Sequence, residues 1–226
     1  MIIGKKRTVL ISGGTSGIGN ALVRKFFSAG WNVATFGRNA GTVSGMQMEM
    51  GQEHFLALAA DFRLENHVSS ILDETARKFG TIDACILNAG TLGPAPLPRV
   101  RDIEMMDLRR TFETNLFANF SLMKRALRIM KSRSVLVHIT SDAAVQPYAG
   151  WGAYGASKAA MRQLVEVLGV ESNGSGLCAI NFDPGDVDTE MHALAIPDAD
   201  RTGLRNTADV AEELYGIITG KLGVVD

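Results

Sequence analysis

The sequence has few cysteines and no long apolar run, and each absence removes a class of protein. Only two of the 226 residues are cysteine, Cys85 and Cys178, and both stand among aliphatic neighbours. Their number and spacing fit neither a disulfide framework nor a zinc site. We therefore expect two buried thiols and no bound metal. No apolar run reaches the ~18 residues of a membrane span, so no membrane association is expected.

An excess of charge of one sign is also missing. The chain has 23 Lys and Arg against 24 Asp and Glu, a formal net charge of −1. Nucleic-acid-binding domains usually carry a basic patch or stripe, so no nucleic-acid partner is expected. Residues 1–7 end in a basic run, but the apolar stretch Thr8–Ser12 is too short for a signal-peptide core. We therefore expect a cytoplasmic protein.

Short apolar runs alternate with helical patterns along the whole chain. Strands are predicted at Thr8–Ile11, Trp31–Phe36, Leu56–Ala60, Ala84–Leu87, Ser134–Ile139 and Leu177–Phe182. Helices are predicted at Asn20–Ser28, Val68–Phe79, Ile103–Met130, Tyr154–Gly169 and Ala208–Ile218. This alternation is typical of βαβ units. We expect an α/β fold, namely a single-domain, doubly wound, Rossmann-like parallel sheet of six or seven strands with helices on both faces.

Glycines separate the first predicted strand from the first predicted helix. Residues 12–19 read Ser-Gly-Gly-Thr-Ser-Gly-Ile-Gly. Glycine lets backbone N–H groups approach a pyrophosphate, and a helix N-terminus favours negative charge. A glycine-rich turn without a ligand is the alternative. Because the loop lies between a strand and a helix, we favour a dinucleotide site.

A second pattern follows the fifth predicted strand. Ser141 comes directly after that strand, while Tyr154 and Lys158 are four residues apart and share one face of a helix. A tyrosine, with an ordinary pKa of about 10, is protonated near neutral pH and can donate to a developing alkoxide. A nearby ammonium lowers the pKa of such a phenol. A surface pair is the alternative for Tyr154 and Lys158, but their place in an ordered set of motifs argues against it.

Together these motifs resemble the short-chain dehydrogenase/reductase family. The Gly-x-x-x-Gly-x-Gly loop, the Asn-Ala-Gly turn at 88–90 and the Tyr-x-x-x-Lys pair occur in the family's order. The resemblance covers essentially all of residues 1–226, with a cofactor half over about 1–140 and a catalytic and substrate half over about 141–226. It implies hydride transfer to a ketone or aldehyde. An alcohol dehydrogenase working in the oxidative direction and a non-catalytic, nucleotide-sensing regulator are the alternatives.

The resemblance also assigns roles to individual residues. It makes Tyr154 the proton donor, and it makes Lys158 the group that lowers the tyrosine pKa and binds the nicotinamide ribose. Ser141 would orient the substrate oxygen, and Asn115 would anchor a water. Cofactor contacts are implied at Gly13, Thr15, Ser16, Gly17, Ile18, Gly19, Arg38, Asp61, Phe62, Asn88, Ala89, Gly90, Tyr154, Lys158, Pro184, Gly185, Val187 and Thr189.

The residues after the second strand favour NADP(H) over NAD(H). NAD-binding folds usually place an acid about 20 residues after the glycine loop, where it binds the ribose 2′-hydroxyl. No Asp or Glu occurs from Asn20 to Met48; Gly37 fills the acidic position and Arg38 follows it. A guanidinium can bind a 2′-phosphate, whereas a carboxylate would repel it. A solvated loop charge is the alternative for Arg38.

The family pattern is weaker after Thr189. A mobile lid over the substrate is expected within Glu190–Arg201, with an ordinary loop as the alternative. Candidate pocket residues are Leu92, Ala143, Val145, Tyr148, Trp151, Met191 and His192, so we expect a largely uncharged substrate. No acid partner is identifiable for His192. Asp142 would favour a polar or cationic group, and the acidic stretch Asp183–Asp188 has no assigned role.

The C-terminal stretch sets the expected assembly. Residues 219–226 end early, where members of the resembled family continue into a seventh strand that helps to build a tetramer. We therefore expect a homodimer that pairs the two long helices, Ile103–Met130 and Tyr154–Gly169, with a homotetramer as the alternative.

Overall fold

A computed structural model describes residues 6–223, and the strands in that range form one parallel sheet. The strands are β1 (Thr8–Ser12), β2 (Asn32–Gly37), β3 (Phe55–Ala59), β4 (Ile82–Leu87), β5 (Met130–Ile139) and β6 (Leu177–Phe182). Their order is β3-β2-β1-β4-β5-β6, and every neighbouring pair is parallel. The predicted doubly wound α/β class is confirmed, with six strands in the described part of the chain.

Helices cover both faces of this sheet. They are α1 (Gly17–Ser28), α2 (Ala40–Met50), α3 (Glu65–Phe79), α4 (Met105–Phe112), α5 (Asn119–Ala126), α6 (Gly152–Glu171), α7 (Glu190–Ala195) and α8 (Thr207–Leu222). Alternate strand residues point to opposite faces. Val9 and Ile11 pack in the core that includes α1, α2 and α8. Leu10 packs in the opposite core with α3, α5 and α6.

The strand order reverses between β1 and β4. The chain leaves β1 toward β2 on one side and later returns to place β4 on the other. In open parallel sheets this reversal opens a crevice at the carboxyl ends of the strands, where ligands bind. The glycine loop and Asn88 follow the two strands that flank the crevice. The topology therefore places two predicted motifs at one edge.

The prediction of one continuous helix at Ile103–Met130 is wrong, because the helix is interrupted and ends before Met130. The structure has α4, then a wider π-helical turn at Glu113–Ala118, and then α5. Met130 lies in β5, where it pairs with Ile82. Helical spacing of Leu, Met and Phe is the same on both sides of a π turn, so periodicity did not show the break.

The helix α2 is absent from our sequence prediction. Its N-terminal cap is Asn39, whose side chain accepts a hydrogen bond from the Thr42 amide at 3.0 Å. Two glycines, Gly41 and Gly45, lie inside it and lower the intrinsic preference for helix. The helix is held by burial of Val43 and Met46 instead, which is a tertiary effect that local propensity does not reveal.

The segment predicted as a lid, Glu190–Arg201, is largely ordered secondary structure. It contains α7 and leads into a short 3₁₀ turn at Arg201–Gly203. An Asp188–Arg201 ion pair closes the segment, and Val187 pairs with Arg205 beyond it. Lid motion stays a prediction.

No helix within residues 6–223 combines the length and the apolar character needed to cross a bilayer. The expectation that the chain starts without a signal peptide rests partly on residues 1–5. The expectation that a seventh strand is missing rests partly on residues 224–226. Both groups of residues lie outside the described part of the chain.

Candidate active site

The glycine loop makes a tight turn between β1 and α1. A Cβ added to Gly19 would lie 2.2 Å from the Gly13 carbonyl oxygen, so only glycine fits where the helix passes the loop. The helix starts at Gly17 and exposes its first backbone N–H groups beside Ser16. Thr189 reaches this point from the far side, since its methyl carbon would lie 3.6 Å from a Cβ at Gly17. The loop and the segment after β6 therefore face each other across the crevice.

Ser12 joins the two walls of the crevice, and it was missed in the sequence analysis. Its hydroxyl accepts hydrogen bonds from the amides of Asn88 and Ala89, both at 2.9 Å. The Asn88 side chain donates back to the Ser12 carbonyl at 2.9 Å and to Gly13 at 3.3 Å. The Asn-Ala-Gly turn is thereby fixed to the glycine loop. A serine that closes a buried strand was the available signal for this role.

The position that the NAD-binding acid would occupy is closed. A Cβ at Gly37 would lie 2.5 Å from the methyl carbon and 2.7 Å from the hydroxyl of Thr15. An aspartate or glutamate at residue 37 would therefore require the Thr15 side chain to move. Arg38 is exposed directly after Gly37, so the only charge that β2 presents at this edge is positive.

Asp61 lies after β3, beside Arg38, and a neighbouring arginine holds its carboxylate. Arg63 Nε donates to both oxygens of Asp61, at 2.9 and 3.1 Å, and the Arg63 amide donates at 3.1 Å. The hydrogen bond from Arg63 holds the pKa of Asp61 below its ordinary value. Phe62 is buried against Phe36, with ring centroids 5.7 Å apart. The adenine contact predicted for Asp61 stays a prediction.

Tyr154 and Lys158 lie on the buried face of α6. Their exposed fractions are 8% and 4%. The Lys158 ammonium donates to the Ile139 carbonyl at 2.7 Å and lies 5.8 Å from the centroid of the Tyr154 ring. Ile139 is the last residue of β5, two positions before Ser141. The helix and the strand end are thus brought together as the sequence predicts.

Burial shifts the pKa values of both groups. Loss of solvation raises the pKa of Tyr154 to about 12, against a smaller opposite effect of the Ser141 hydroxyl. Loss of solvation lowers the pKa of Lys158 to about 8. In the protein without cofactor, desolvation is the dominant effect on the pKa of Tyr154. The lowering expected from Lys158 together with the oxidised cofactor stays a prediction. The phenol is protonated at neutral pH.

Asn115 lies at the π turn and ties three segments together. Its Oδ1 accepts from the Thr91 amide at 2.8 Å, and its Nδ2 donates to the Thr91 carbonyl at 2.8 Å and to Ser157 Oγ at 2.9 Å. Gly90 borders the same place, since a Cβ there would lie 3.6 Å from Lys158 Nζ. The side chain therefore holds the loop after β4 against α6. Its expected role as a water anchor stays a prediction.

The hydroxyl of Ser141 is hydrogen-bonded to the neighbouring carboxylate. It donates to Asp142 Oδ1 at 3.0 Å, and Tyr148 donates its phenolic hydrogen to Asp142 Oδ2 at 2.7 Å. The Ala143 amide also donates to Asp142, at 2.7 Å. The acid that follows Ser141, Asp142, therefore orients both hydroxyl groups at the mouth of the site.

Each acid of the stretch after β6 has a partner. Asp183 accepts from the Gly185 amide at 3.0 Å, and Asp188 pairs with Arg201. Asp186 lies 3.7 Å from His192 Nε2, which corrects the expectation that His192 has no acid partner. Pro184 accepts at its carbonyl from Arg205 at 2.9 Å. These contacts fix the turn that faces the glycine loop.

The predicted pocket residues divide into a buried and an exposed group. Leu92, Ala143 and Tyr154 form an apolar cluster. Trp151 packs against it, together with Leu97 and Ala195, which the sequence analysis missed. The exposed group is Val145, Tyr148 and Met191. Leu97 comes from the proline-rich loop, where no periodicity marked it.

The described residues contain no group of three or more His, Cys, Asp or Glu that could hold a metal ion. Cys85 is buried and Cys178 is half-buried, and both are free thiols. The site therefore consists of backbone amides, hydroxyls, one ammonium and carboxylates.

A glycine loop at the β1–β4 crevice of a doubly wound sheet defines a Rossmann-like protein. The profile of the short chain dehydrogenase family matches residues 7–199. Serine 3-dehydrogenase of Agrobacterium fabrum is 34% identical over 210 residues, which are 92% of this chain and 80% of that protein. Benzil reductase ((S)-benzoin forming) of Saccharomyces cerevisiae is 30% identical over 192 residues, covering 82% and 73%.

A solved structure shares the fold. The 3-ketoacyl-(acyl-carrier-protein) reductase from Brucella melitensis, complexed with NADH, has a TM-score of 0.87 at 21% identity, covering 97% of this chain and 93% of that chain. The chain belongs to the short-chain dehydrogenase/reductase family, whose members are oxidoreductases acting on alcohols and carbonyls.

The site makes a prediction about one lysine. Because burial lowers its pKa, Lys158 is expected to titrate at about 8, whereas an ordinary lysine titrates at about 10.4. NMR of the protein labelled at lysine Cε, recorded without cofactor across pH 6 to about 11, measures this value. The shifted signal should be missing in Lys158→Met. A spectrum in which every lysine titrates near its ordinary pKa would contradict the burial argument.

Proposed function

We propose that this protein is an NADPH-dependent oxidoreductase that transfers hydride to a ketone or aldehyde, with Tyr154 as the proton donor. The observation that carries the proposal is the buried, protonated phenol of Tyr154 beside Ser141 at the carboxyl edge of the sheet. The residues around the crevice fit a dinucleotide, because Gly17 puts no side chain at the exposed N-terminus of α1, where backbone N–H groups can bind a pyrophosphate.

The chain's own groups divide the work of the reduction. The cofactor supplies the hydride when it is bound. Ser141 supplies a hydroxyl that can turn from Asp142 toward the substrate oxygen, where negative charge develops. Tyr154 then gives its proton to that oxygen. Lys158, charged below a pKa of about 8, favours the phenolate that remains.

The raised pKa of Tyr154 suits a proton donor, which is the role that reduction requires. Oxidation of an alcohol requires Tyr154 to lose its proton before it can act as a base. A pKa of about 12 makes that form rare at neutral pH until the cofactor's charge is present. The non-catalytic regulator is disfavoured because Ser141, Tyr154 and Lys158 are all present and converge.

We also propose the division of the chain expected from the sequence, with a cofactor half over about residues 1–140 and a catalytic half over about residues 141–226.

Replacing Tyr154 with phenylalanine tests the proton donor. Loss of a positioned acid costs about 10²–10⁴ in rate, so Tyr154→Phe is expected to lower kcat for carbonyl reduction by about a thousandfold. NADPH oxidation on a panel of ketones and aldehydes measures this. Tyr215→Phe, which removes a phenol hydroxyl in the core beside Phe26, is the control and should keep its activity. Equal activity of the two variants would remove Tyr154 from the mechanism.

Arg38 and the closed position at Gly37 support NADPH. The exposed guanidinium can bind a 2′-phosphate through two charge-assisted hydrogen bonds. A carboxylate at residue 37, which would bind the ribose hydroxyls, would clash with the Thr15 side chain and require it to move.

Reversing the charge at residue 38 tests this preference. Arg38→Asp is expected to weaken NADPH binding about a hundredfold and NADH binding less than threefold, since one favourable charge contact becomes repulsive. Calorimetric titration of both cofactors measures the two affinities. Equal losses for NADPH and NADH would show that Arg38 does not contact the phosphate.

The pocket supports a small, mostly uncharged carbonyl substrate. Leu92, Leu97 and Trp151 surround the Tyr154 ring with apolar surface. Asp142 and Tyr148 add polar groups at the mouth. The two relatives are named for serine and for benzil. Because these two compounds differ widely in polarity, the proposal of a mostly uncharged substrate rests on the pocket and not on the relatives. We retain a cytoplasmic location as part of the proposal.

Exposed apolar residues support a homodimer. Met105, Phe117 and Phe120 on the α4–α5 segment are 62%, 56% and 39% exposed. Val167 and Val170 on α6 are 42% and 78% exposed. Such residues on two neighbouring elements are typical of a subunit interface. A twofold axis would pair each segment with its copy.

Sedimentation of the unaltered protein tests the assembly. A dimer of the 24.3 kDa chain is expected, and Val167→Asp combined with Phe117→Asp should yield a monomer, because two charges would be buried without partners. Met48→Asp, at a methionine that is 81% exposed on α2, is the control. A monomeric unaltered protein, or a dimer that survives both substitutions, would contradict this interface.

A further inference from the structure

The carboxylate of Asp61 creates a problem for the proposed NADPH site. Gly37 and Ala59 are paired at the ends of β2 and β3, and Arg38 and Asp61 lie one and two residues beyond this pair, at the same edge of the sheet. The positive charge of Arg38 makes a small contribution to the lowered pKa of Asp61. An ionised Asp61 would therefore reduce the attraction of Arg38 for a phosphate.

Arg63 offsets the negative charge of Asp61. Its guanidinium donates hydrogen bonds to both carboxylate oxygens of Asp61, and its backbone amide donates a further one at 3.1 Å. The side chains of Arg63 and Asp61 are 38% and 23% exposed, so the pair lies at the surface of the crevice. Glu113, at the start of the π turn, is the other acid that acts on Arg63. Of these two acids, only Asp61 accepts a hydrogen bond from Arg63 in the described part of the chain.

We infer that Arg63 is a specificity-determining residue for the cofactor: it neutralises Asp61, so that the charge of Arg38 remains available for a 2′-phosphate. This inference rests on the proposed use of NADPH. Arg63 acts through Asp61 and is a positioning residue. Without Arg63, the charges of Arg38 and Asp61 would sum to zero at the place where the phosphate binds. NADH carries no phosphate there, so its binding depends much less on this balance.

The ratio of NADPH affinity to NADH affinity is the measurement that tests this role. Arg63→Gln is expected to lower the ratio about fivefold, as a partly exposed charge should. Adding Asp61→Asn to Arg63→Gln should restore the ratio to within about twofold of the unaltered value, because the acid that needed neutralising is gone. Arg63→Lys keeps the positive charge and should keep the ratio within about twofold.

Calorimetric titration of the full chain with each cofactor gives the ratios. Arg77→Gln is the matched control, because it removes another exposed arginine that pairs with an acid nearby in sequence, Glu74 on α3. Its ratio should not change. Equal losses of both cofactors in Arg63→Gln would overturn the inference, and so would a lowered ratio that Asp61→Asn fails to restore.

The inference and the proposed function can fail separately. A protein that reduces no carbonyl, or whose unaltered form binds NADH as tightly as NADPH, contradicts the proposed function. The change of the ratio on substitution at Arg63 is measurable in either case, and its dependence on Asp61 decides the inference alone.

Discussion

The hydrogen bond from the Lys158 ammonium to the Ile139 carbonyl is the contact on which the candidate site depends. It joins α6 to the end of β5 at 2.7 Å, and so it fixes Tyr154 relative to Ser141. A buried ammonium with one carbonyl partner among the described hydrogen bonds is poorly compensated for its lost hydration, and the pKa of Lys158 is lowered accordingly. An apolar residue here would avoid this cost. The proposed chemistry, which needs a charge beside a phenol, would account for the lysine.

Most of the remaining polar groups at the carboxyl edge serve to hold these residues in place. Ser12 and Asn88 fix the crevice, while Asn115 holds the loop after β4 against α6. Asp142 orients the hydroxyl of Ser141. Ser12, Asn88 and Asn115 are committed to contacts within the protein, so the walls of the crevice are held in place before a ligand binds. The Ser141 hydroxyl, in contrast, has to leave Asp142 to reach a substrate oxygen.

The sequence predicted the topology, and the meeting of the glycine loop, the end of β5 and α6 at one edge of the sheet, better than it predicted helix boundaries. Alternation of strands and helices requires only hydrophobic patterning, and glycine spacing reports a backbone constraint directly. The π turn at Glu113–Ala118 and the helix α2 depend on tertiary packing, which leaves no local periodicity. The role of Ser12 and the partner of His192 depend on contacts between distant segments. The raised pKa of Tyr154 in the protein without cofactor was not predicted, because the sequence does not show the extent of burial.

The carboxylates around the site differ in their effect on Tyr154, according to whether an arginine pairs with them. Asp183 and Asp142 both raise the pKa of Tyr154, in addition to burial, whereas Asp61 is held by Arg63 and Asp188 by Arg201. Acids with an arginine partner contribute little field, while those without one act on the reacting phenol. The negative field at Tyr154 opposes formation of phenolate and so favours the protonated phenol. The same field would disfavour an anionic substrate beside the apolar cluster of Leu92, Ala143 and Tyr154.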